Sequence, residues 1–183
     1  MNDDFFGPAI PGLFLIEDLV DEAAQLSLIT EIEETSLAPF RFQQWTGMRE
    51  TASYGLHYDF TASTLSEAEA FRPWLDKLAR MVEAKCELPG RSIVHALLTR
   101  YPVGAAIGWH RDRAIFGEVF GISLGTEAVL RLRRRQPAGF SRYSLPLRPG
   151  SLYRLSGEAR NQWEHSIAPL QQLRRSITLR TLA

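Results

Sequence analysis

The sequence predicts an α+β fold, a jelly roll or barrel of short strands with two helices packed against one of its outer faces. Three features of the chain lead there. From Ser92 onward apolar and polar residues alternate with a period of two, in runs separated by turn signals. Ahead of Ser92, two stretches carry helical spacing instead. The 183 residues, 45% apolar and 23% charged, suit one globular domain with a sizeable core.

Taken in order, Asn2 to Leu15 reads as an extended arm, with turns at Gly7-Pro8 and Pro11-Gly12 and a short strand at Leu13-Phe14-Leu15. Leu19, Ala23, Leu26 and Ile29 recur at helical spacing behind Glu17-Asp18, which predicts a helix near 18–35. Pro73 suits a first helical turn, so a second helix begins there, buries Leu75, Leu78 and Val82 and ends before Pro89-Gly90. Strands follow at Ile93–Tyr101, Phe116–Leu124, Ala128–Arg134, Ser141–Leu147, Ser151–Leu155 and Ser176–Leu182, with turns at Gly125-Thr126, Pro137-Ala138-Gly139 and Pro149-Gly150 between them. Six short strands at this spacing indicate a double-sheet jelly roll or a barrel. No repeat, low-complexity tract or flexible linker divides the chain, so residues 1–91 and 92–183 are two textures of one compact domain.

No apolar stretch approaches the ~18 residues of a membrane span, and the acidic Met1-Asn2-Asp3-Asp4 start is unlike a signal peptide. The lone cysteine, Cys86, excludes an internal disulfide framework and a multi-cysteine zinc site, so a cytoplasmic location is expected. The formal net charge of zero averages two unlike halves. Residues 1–91 hold 7 basic and 16 acidic side chains, a balance of −9; residues 92–183 hold 14 arginines, no lysine and 5 acids, a balance of +9. Neutrality therefore does not exclude a nucleic-acid partner.

Of the four histidines, His110 stands out because Asp112 follows two residues later. On a strand such a pair projects from one face, offering an imidazole and a carboxylate side by side. With His165 from a later segment they form two histidines and one carboxylate, a set that suits non-haem Fe(II) and leaves positions open for substrate and oxygen. His57, His95 and Cys86 show no partner pattern and read as structural.

Nine residues beyond His165, the segment Arg174 to Arg180 alternates as a strand does. Arg174, Ser176, Thr178 and Arg180 share one face, opposite Ile177 and Leu179. Two arginines and two hydroxyls on one face make a site for a dianion, since guanidinium pairs bidentately with carboxylate. An edge strand with a solvated outer face is the competing reading.

Together these segments resemble the AlkB family of Fe(II)- and 2-oxoglutarate-dependent dioxygenases, over roughly residues 92–183 and more faintly over 40–60. His110-Arg111-Asp112, His165 and the closing Arg174-Arg175-Ser176-Ile177-Thr178-Leu179-Arg180 match the family's His-x-Asp, distal His and Arg-x-Asn-x-Thr-x-Arg. Thr99-Arg100-Tyr101-Pro102-Val103-Gly104 resembles its Asn-x-Tyr-x-x-Gly, Ser123-Leu124-Gly125 its Ser-Leu-Gly, and Gly157-Glu158-Ala159-Arg160 its Gly-Glu-x-Arg. The resemblance implies a double-stranded β-helix core, with His110, Asp112 and His165 ligating iron. It implies that Arg174 pairs with the distal carboxylate of 2-oxoglutarate, that Tyr101 adds a hydrogen bond, and that Arg180 lies near Asp112 at the keto-acid end. The implied reaction consumes oxygen and 2-oxoglutarate, gives succinate and carbon dioxide, and hydroxylates a C–H bond; where that carbon sits on nitrogen, an aldehyde is released. DNA repair and other nucleic-acid demethylation are activities of this kind.

Three departures bear on the substrate. Ser176 and Thr99 replace the family's two asparagines, so a hydrogen bond to 2-oxoglutarate is rearranged. After Asp112, Arg113 and Ala114 offer no acceptor where DNA-repairing members carry acids, and Arg113 to Glu118 looks more like branches acting on tRNA wobble uridine or on protein. On the substrate side, Gln44-Trp45-Thr46 and Tyr54-Gly55-Leu56-His57-Tyr58 resemble the family's lid, where Trp45 or Tyr54 would stack on a flipped base or else pack the lid on the barrel. Trp163 shares the face of His165 and would wall the pocket or pack in the core, whereas Trp109 points the other way, to core. Arg131 and Arg133, within the run Arg131 to Arg135, read as a phosphate track or a solvated face. The expected function is oxidative demethylation or hydroxylation of a nucleobase in DNA or RNA by a monomeric enzyme away from membranes. The alternatives are the same chemistry on a protein side chain or small molecule, and a non-catalytic jelly-roll module.

Overall fold

A computed structural model describes residues 10–42, 45–59, 64–67 and 69–183. In chain order the elements are β1 (Leu13–Ile16), α1 (Glu22–Glu33), β2 (Ala38–Phe42), β3 (Trp45–Asp59), β4 (Thr64–Glu67), α2 (Pro73–Lys85) and β5 (Ile93–Tyr101). There follow β6 (Ile107–His110), β7 (Phe116–Leu124), β8 (Ala128–Gln136), β9 (Gly139–Leu147), β10 (Leu152–Leu155), α3 (Gly157–Asn161), β11 (Glu164–Ile167) and β12 (Arg174–Leu182).

The strands form two antiparallel sheets. The larger runs β1-β10-β7-β12-β5-β3-β2, with β4 paired to β3; the smaller runs β6-β11-β8-β9. One apolar cluster, with Leu130, Leu132, Ile167, Val119 and Leu155, fills the space between the sheets. A second, with Leu98, Ile122, Ile177 and Leu179, lies under α1 and α2 on the other face of the large sheet. This is a double-stranded β-helix with helical support on one outer face, as the residue pattern predicts.

The helices are placed by local chemistry. Asp21 caps α1, its Oδ1 accepting from the Ala24 amide at 2.8 Å, so the helix starts at Glu22. Its buried residues are Leu28 and Ile32, and Leu26 is 61% exposed, so the stripe expected through Leu19, Ala23 and Leu26 is not the buried one. Glu33, at the last turn, accepts from Arg100 on β5 and Arg175 on β12, at 2.9 and 2.7 Å. In α2, Pro73 occupies the first turn and Leu75, Leu78 and Val82 are buried, as predicted. Its buried Glu83 accepts from the amides of Arg91 and Ile93, tying the helix to the start of β5.

The first half of the chain is more than helical support. β1 pairs with β10 and β3 with β5, so residues before 91 supply strands to the sheet that carries β12. At Gly121 on β7 the fold needs a missing side chain: a Cβ there would meet the Tyr153 ring at 2.1 Å. Tyr153, opposite Gly121 on β10, therefore lays its ring across β7 into the space between the sheets. Gly125 ends β7 at a φ of 86°, a left-handed turn that glycine adopts without steric cost. Among the described residues no helix is long and apolar enough to cross a membrane.

Candidate active site

Both sheets contribute to a polar pocket between them. β6 and β11 place His110 and His165 directly opposite one another, with ring centroids 4.3 Å apart. The strand stops at His110, and Asp112 reaches the same place from the irregular segment beyond it. One ligand atom from each of His110, Asp112 and His165 lies within 4.8 Å of the others. His165 Nε2 stands 3.6 Å from Asp112 Oδ2.

The surroundings orient each of these groups. His110 Nδ1 lies 2.9 Å from the Gly108 carbonyl, which can only accept, so the proton sits on Nδ1 and Nε2 keeps its lone pair. Arg180 donates through Nε and Nη2 to Asp112 Oδ1, at 3.0 and 2.7 Å, which leaves Oδ2 uncommitted. Burial alone would raise the Asp112 pKa; the Arg180 guanidinium, helped by the two imidazoles, outweighs it and holds the carboxyl well below its ordinary range. His165 is pushed down to about 3 by burial and by the neighbouring His110, against the pull of Asp112. Two imidazole nitrogens and an ionised carboxylate are the donor set a divalent metal needs.

The dianion site lies on β12 and its neighbours. Tyr101 and Thr99 on β5 stand opposite Arg174 and Ser176, and Ser123 on β7 flanks Ser176 from the other side. All are buried, which excludes the solvated edge strand: β12 is central, between β5 and β7. Arg174 is 1% exposed and donates through Nε and Nη2 to Ser123 Oγ, at 3.3 and 3.1 Å, while its Nη1 has no hydrogen-bond partner among the described residues. A buried guanidinium with an unsatisfied donor is costly unless an anion completes it. Its charged carbon lies 5.1 Å over the Tyr101 ring, and Ser176 Oγ donates to the Tyr101 hydroxyl at 3.4 Å. A dicarboxylate spanning Arg174 and the triad fits this arrangement.

Other residues hold the frame. Arg160, from the Gly-Glu-x-Arg segment, donates to the carbonyls of Arg113, Phe116 and Gly117 at 2.7, 2.7 and 2.8 Å, clamping the loop that follows Asp112. His95, read as structural from sequence, accepts from Arg180 Nη1 at 3.1 Å through Nδ1. Its spacing gave no signal, because the contact depends on the β5–β12 register. Tyr153 and Arg49 also line the pocket and were not singled out in the sequence. For Tyr153 the only signal was a glycine opposite; for Arg49 there was none until β3 joined the sheet.

Among the substrate-side residues, Tyr54 and Trp163 follow the packing reading, Arg131 and Arg133 lie on the outward charged face that their alternation with leucines predicts, and Trp109 corrects the core reading. Tyr54 is 1% exposed and packs in the core beneath the helices, away from the pocket. Trp163, 6% exposed, packs between the sheets and donates to Glu158 Oε1 at 3.1 Å, so it does not wall the triad. Arg131 and Arg133 face outward from β8, because Leu130 and Leu132 take the inner face. There Arg131 donates to Ser166 and Arg133 pairs with Glu164 at 2.6 Å. Trp109 is half-buried beneath these two guanidiniums, at 5.2 and 4.4 Å, and is not core. Arg113 lies in the loop clamped by Arg160 and is not among the pocket's lining residues. Trp45 begins β3, and its side chain, like that of His57, lies outside the described residues.

The profile of the 2OG-Fe(II) oxygenase superfamily matches residues 12–180. Sequence relatives include an Arabidopsis thaliana protein described as an alkylated DNA repair protein ALKBH8 homolog, 26% identical over 184 residues, covering 86% of this chain and 51% of that protein. Another is the Mus musculus DNA oxidative demethylase ALKBH2, 28% identical over 141 residues, covering 69% and 57%. The chain thus spans little more than half the length of these curated relatives. Among solved structures, OsALKBH1 superposes with a TM-score of 0.71 at 16% identity, over 93% of this chain and 97% of that one. A Pseudomonas putida prolyl-4-hydroxylase superposes with a TM-score of 0.65 at 16% identity, over 94% and 93%. Given this match and the donor set between its sheets, the chain belongs to the 2OG-Fe(II) oxygenase superfamily, with a pocket whose residues suit Fe(II) and 2-oxoglutarate and with sequence similarity to AlkB-type proteins.

Proposed function

We propose that the protein hydroxylates or oxidatively demethylates a modified nucleobase in RNA or DNA. The observation that carries this reading is the coincidence of the triad with AlkB-type relatives described as acting on nucleic acid. His110, Asp112 and His165 would hold the metal. Arg174 takes the distal carboxylate of 2-oxoglutarate on its unpartnered Nη1, with Ser123, Ser176, Thr99 and Tyr101 completing that end. When bound, iron with 2-oxoglutarate and oxygen supplies oxidation of a C–H bond, with succinate and carbon dioxide as co-products. The chain's own work is placement. Arg180 fixes which carboxylate oxygen of Asp112 faces the metal, Gly108 fixes the His110 tautomer, and Arg160 holds the loop at the rim. The apolar packing around Leu130, Ile107 and Ile167 restricts water at the reacting centre.

Arg113 and Ala114 offer no carboxylate to an exocyclic amine, which favours a uridine-type base over a methylated adenine or cytosine. The test is mass spectrometry of nucleosides from oligonucleotides and tRNA after incubation with Fe(II) and 2-oxoglutarate. A mass gain of one oxygen, or loss of an alkyl group, is expected, together with nucleic-acid-stimulated succinate formation that Asp112→Ala abolishes. If no nucleic acid raises succinate formation above the level without substrate, the nucleobase reading fails. Stimulation by peptides alone would replace it with a protein substrate.

A further inference from the structure

The pocket holds more positive charge than its cofactors require. Among the described residues lining it are three guanidiniums, those of Arg49, Arg174 and Arg180, and one carboxylate, Asp112. Arg180 is committed to Asp112, and Arg174 presents its free donor to the dianion site. The two positive charges of Fe(II) and the two negative charges of 2-oxoglutarate cancel, so with both bound these groups still sum to two positive charges, and Arg49 is the guanidinium with neither Asp112 nor the dianion site as its partner.

Arg49 reaches the pocket from β3. On β3, Thr51 stands opposite Thr99 and Glu50 opposite Arg100. Thr99 faces the pocket, while Glu50 pairs with Arg100 on the other side of the sheet at 2.7 Å. Alternation then turns Arg49 inward, beside the position of Tyr101. Its guanidinium is stacked 3.8 Å over the Phe40 ring of β2, which fixes its plane without using an N–H. Among the described residues Arg49 has no hydrogen-bond or ion-pair partner. Burial disfavours its charged form, and the nearby Arg180 adds to that, opposed by Asp112. A partly buried cation with unspent donors is completed by an anion.

We propose that Arg49 forms an oxyanion subsite for the substrate, so that the enzyme selects a nucleotide bearing a phosphate or carboxylate close to the oxidised carbon. The inference rests on the nucleobase reading for the identity of the substrate, and on geometry alone for the anion. Charge-assisted pairing of this kind is worth about tenfold in affinity or more.

The experiment is calorimetric titration of the full chain, loaded with a redox-inert divalent metal and a non-reacting 2-oxoglutarate analogue. The probes are uridine, uridine 5′-monophosphate, 5-carboxyuridine and inorganic phosphate, each against wild type, Arg49→Gln and Arg49→Lys. A preference of about tenfold for uridine 5′-monophosphate over uridine, lost in Arg49→Gln and partly kept in Arg49→Lys, assigns the subsite to the phosphate beside the base. The same pattern with 5-carboxyuridine assigns it to a carboxylate on the base. Absence of any preference for an anion in wild type overturns the proposal without recourse to a variant, and so does an undiminished preference in Arg49→Gln. If no nucleoside binds, the nucleobase reading falls and inorganic phosphate decides the subsite. Single-site binding that drops at least about fivefold in Arg49→Gln sustains it, and its absence overturns it.

Discussion

Arg180 grips a single oxygen of Asp112, with Nε and Nη2 both donating to Oδ1 at 3.0 and 2.7 Å, while Oδ2 faces His165 at 3.6 Å. A carboxylate held this way cannot rotate to offer its other oxygen, so the triad is set before a metal arrives. Partners of this kind govern metal affinity by about 10–100-fold. Arg180→Met is therefore expected to weaken binding of Co(II), titrated by absorbance without oxygen, by that factor. Unchanged affinity would show that Asp112 needs no external hold.

Arg174→Met removes the donor that has no partner among the described residues. The KM for 2-oxoglutarate should rise about tenfold or more, since a charge-assisted pair is lost. The cofactor-free protein should lose little stability, because the replacement also removes an uncompensated buried charge. Succinate formation across a 2-oxoglutarate series and a thermal melt of the same sample check both halves.

Gly121 and Tyr153 are a matched pair. Gly121→Ala brings a methyl to 2.1 Å from the ring, and overpacking of this sort costs about 1–3 kcal/mol. Combining it with Tyr153→Leu should recover most of that loss in urea denaturation. Additive effects of the two changes would mean that the ring and the glycine are not coupled.

The metal-free protein should be acid-sensitive well above the carboxylate range. His165 resists protonation down to about pH 3 in the fold but takes a proton near 6.5 when unfolded. Between those values the unfolded state binds more protons, so stability is full above pH 6.5 and falls steadily as pH drops toward 3. The loss is on the order of a few kcal/mol, and the depressed Asp112 adds to it below about pH 4. Denaturant midpoints measured from pH 7.5 to 4 should show this slope, and His165→Asn should flatten its upper part.

The strands β5, β7 and β12 were legible to within two residues because their apolar faces lie on a core beneath the helices. The triad and Arg174 were legible because their spacing carries chemistry that few other patterns share. β3 was not, although it is the longest strand at 15 residues. One of its faces meets a polar pocket, so Arg49, Thr51 and Ser53 stand where a hydrophobic period would have marked it. β6 and β11 hold both histidines in four residues each, too short for a period to appear. Tyr54 and Trp163 stayed open, and Trp109 misled, for a related reason: parity along a strand says which residues share a face, not which face meets the pocket.

The position of β12 also sets an order of events. It is the last strand in chain order, yet it is inserted between β5 and β7 in the middle of the large sheet. Arg174, which faces the dianion site, and Arg180, which holds Asp112, therefore take their places only when the last strand pairs with both β5 and β7. Such non-local closure is slow relative to local folding. A half-folded chain can bring His110 and His165 together on the small sheet, but it cannot aim Asp112 or hold 2-oxoglutarate. The metal-ligand set and the dianion site are thus complete only when the large sheet is closed.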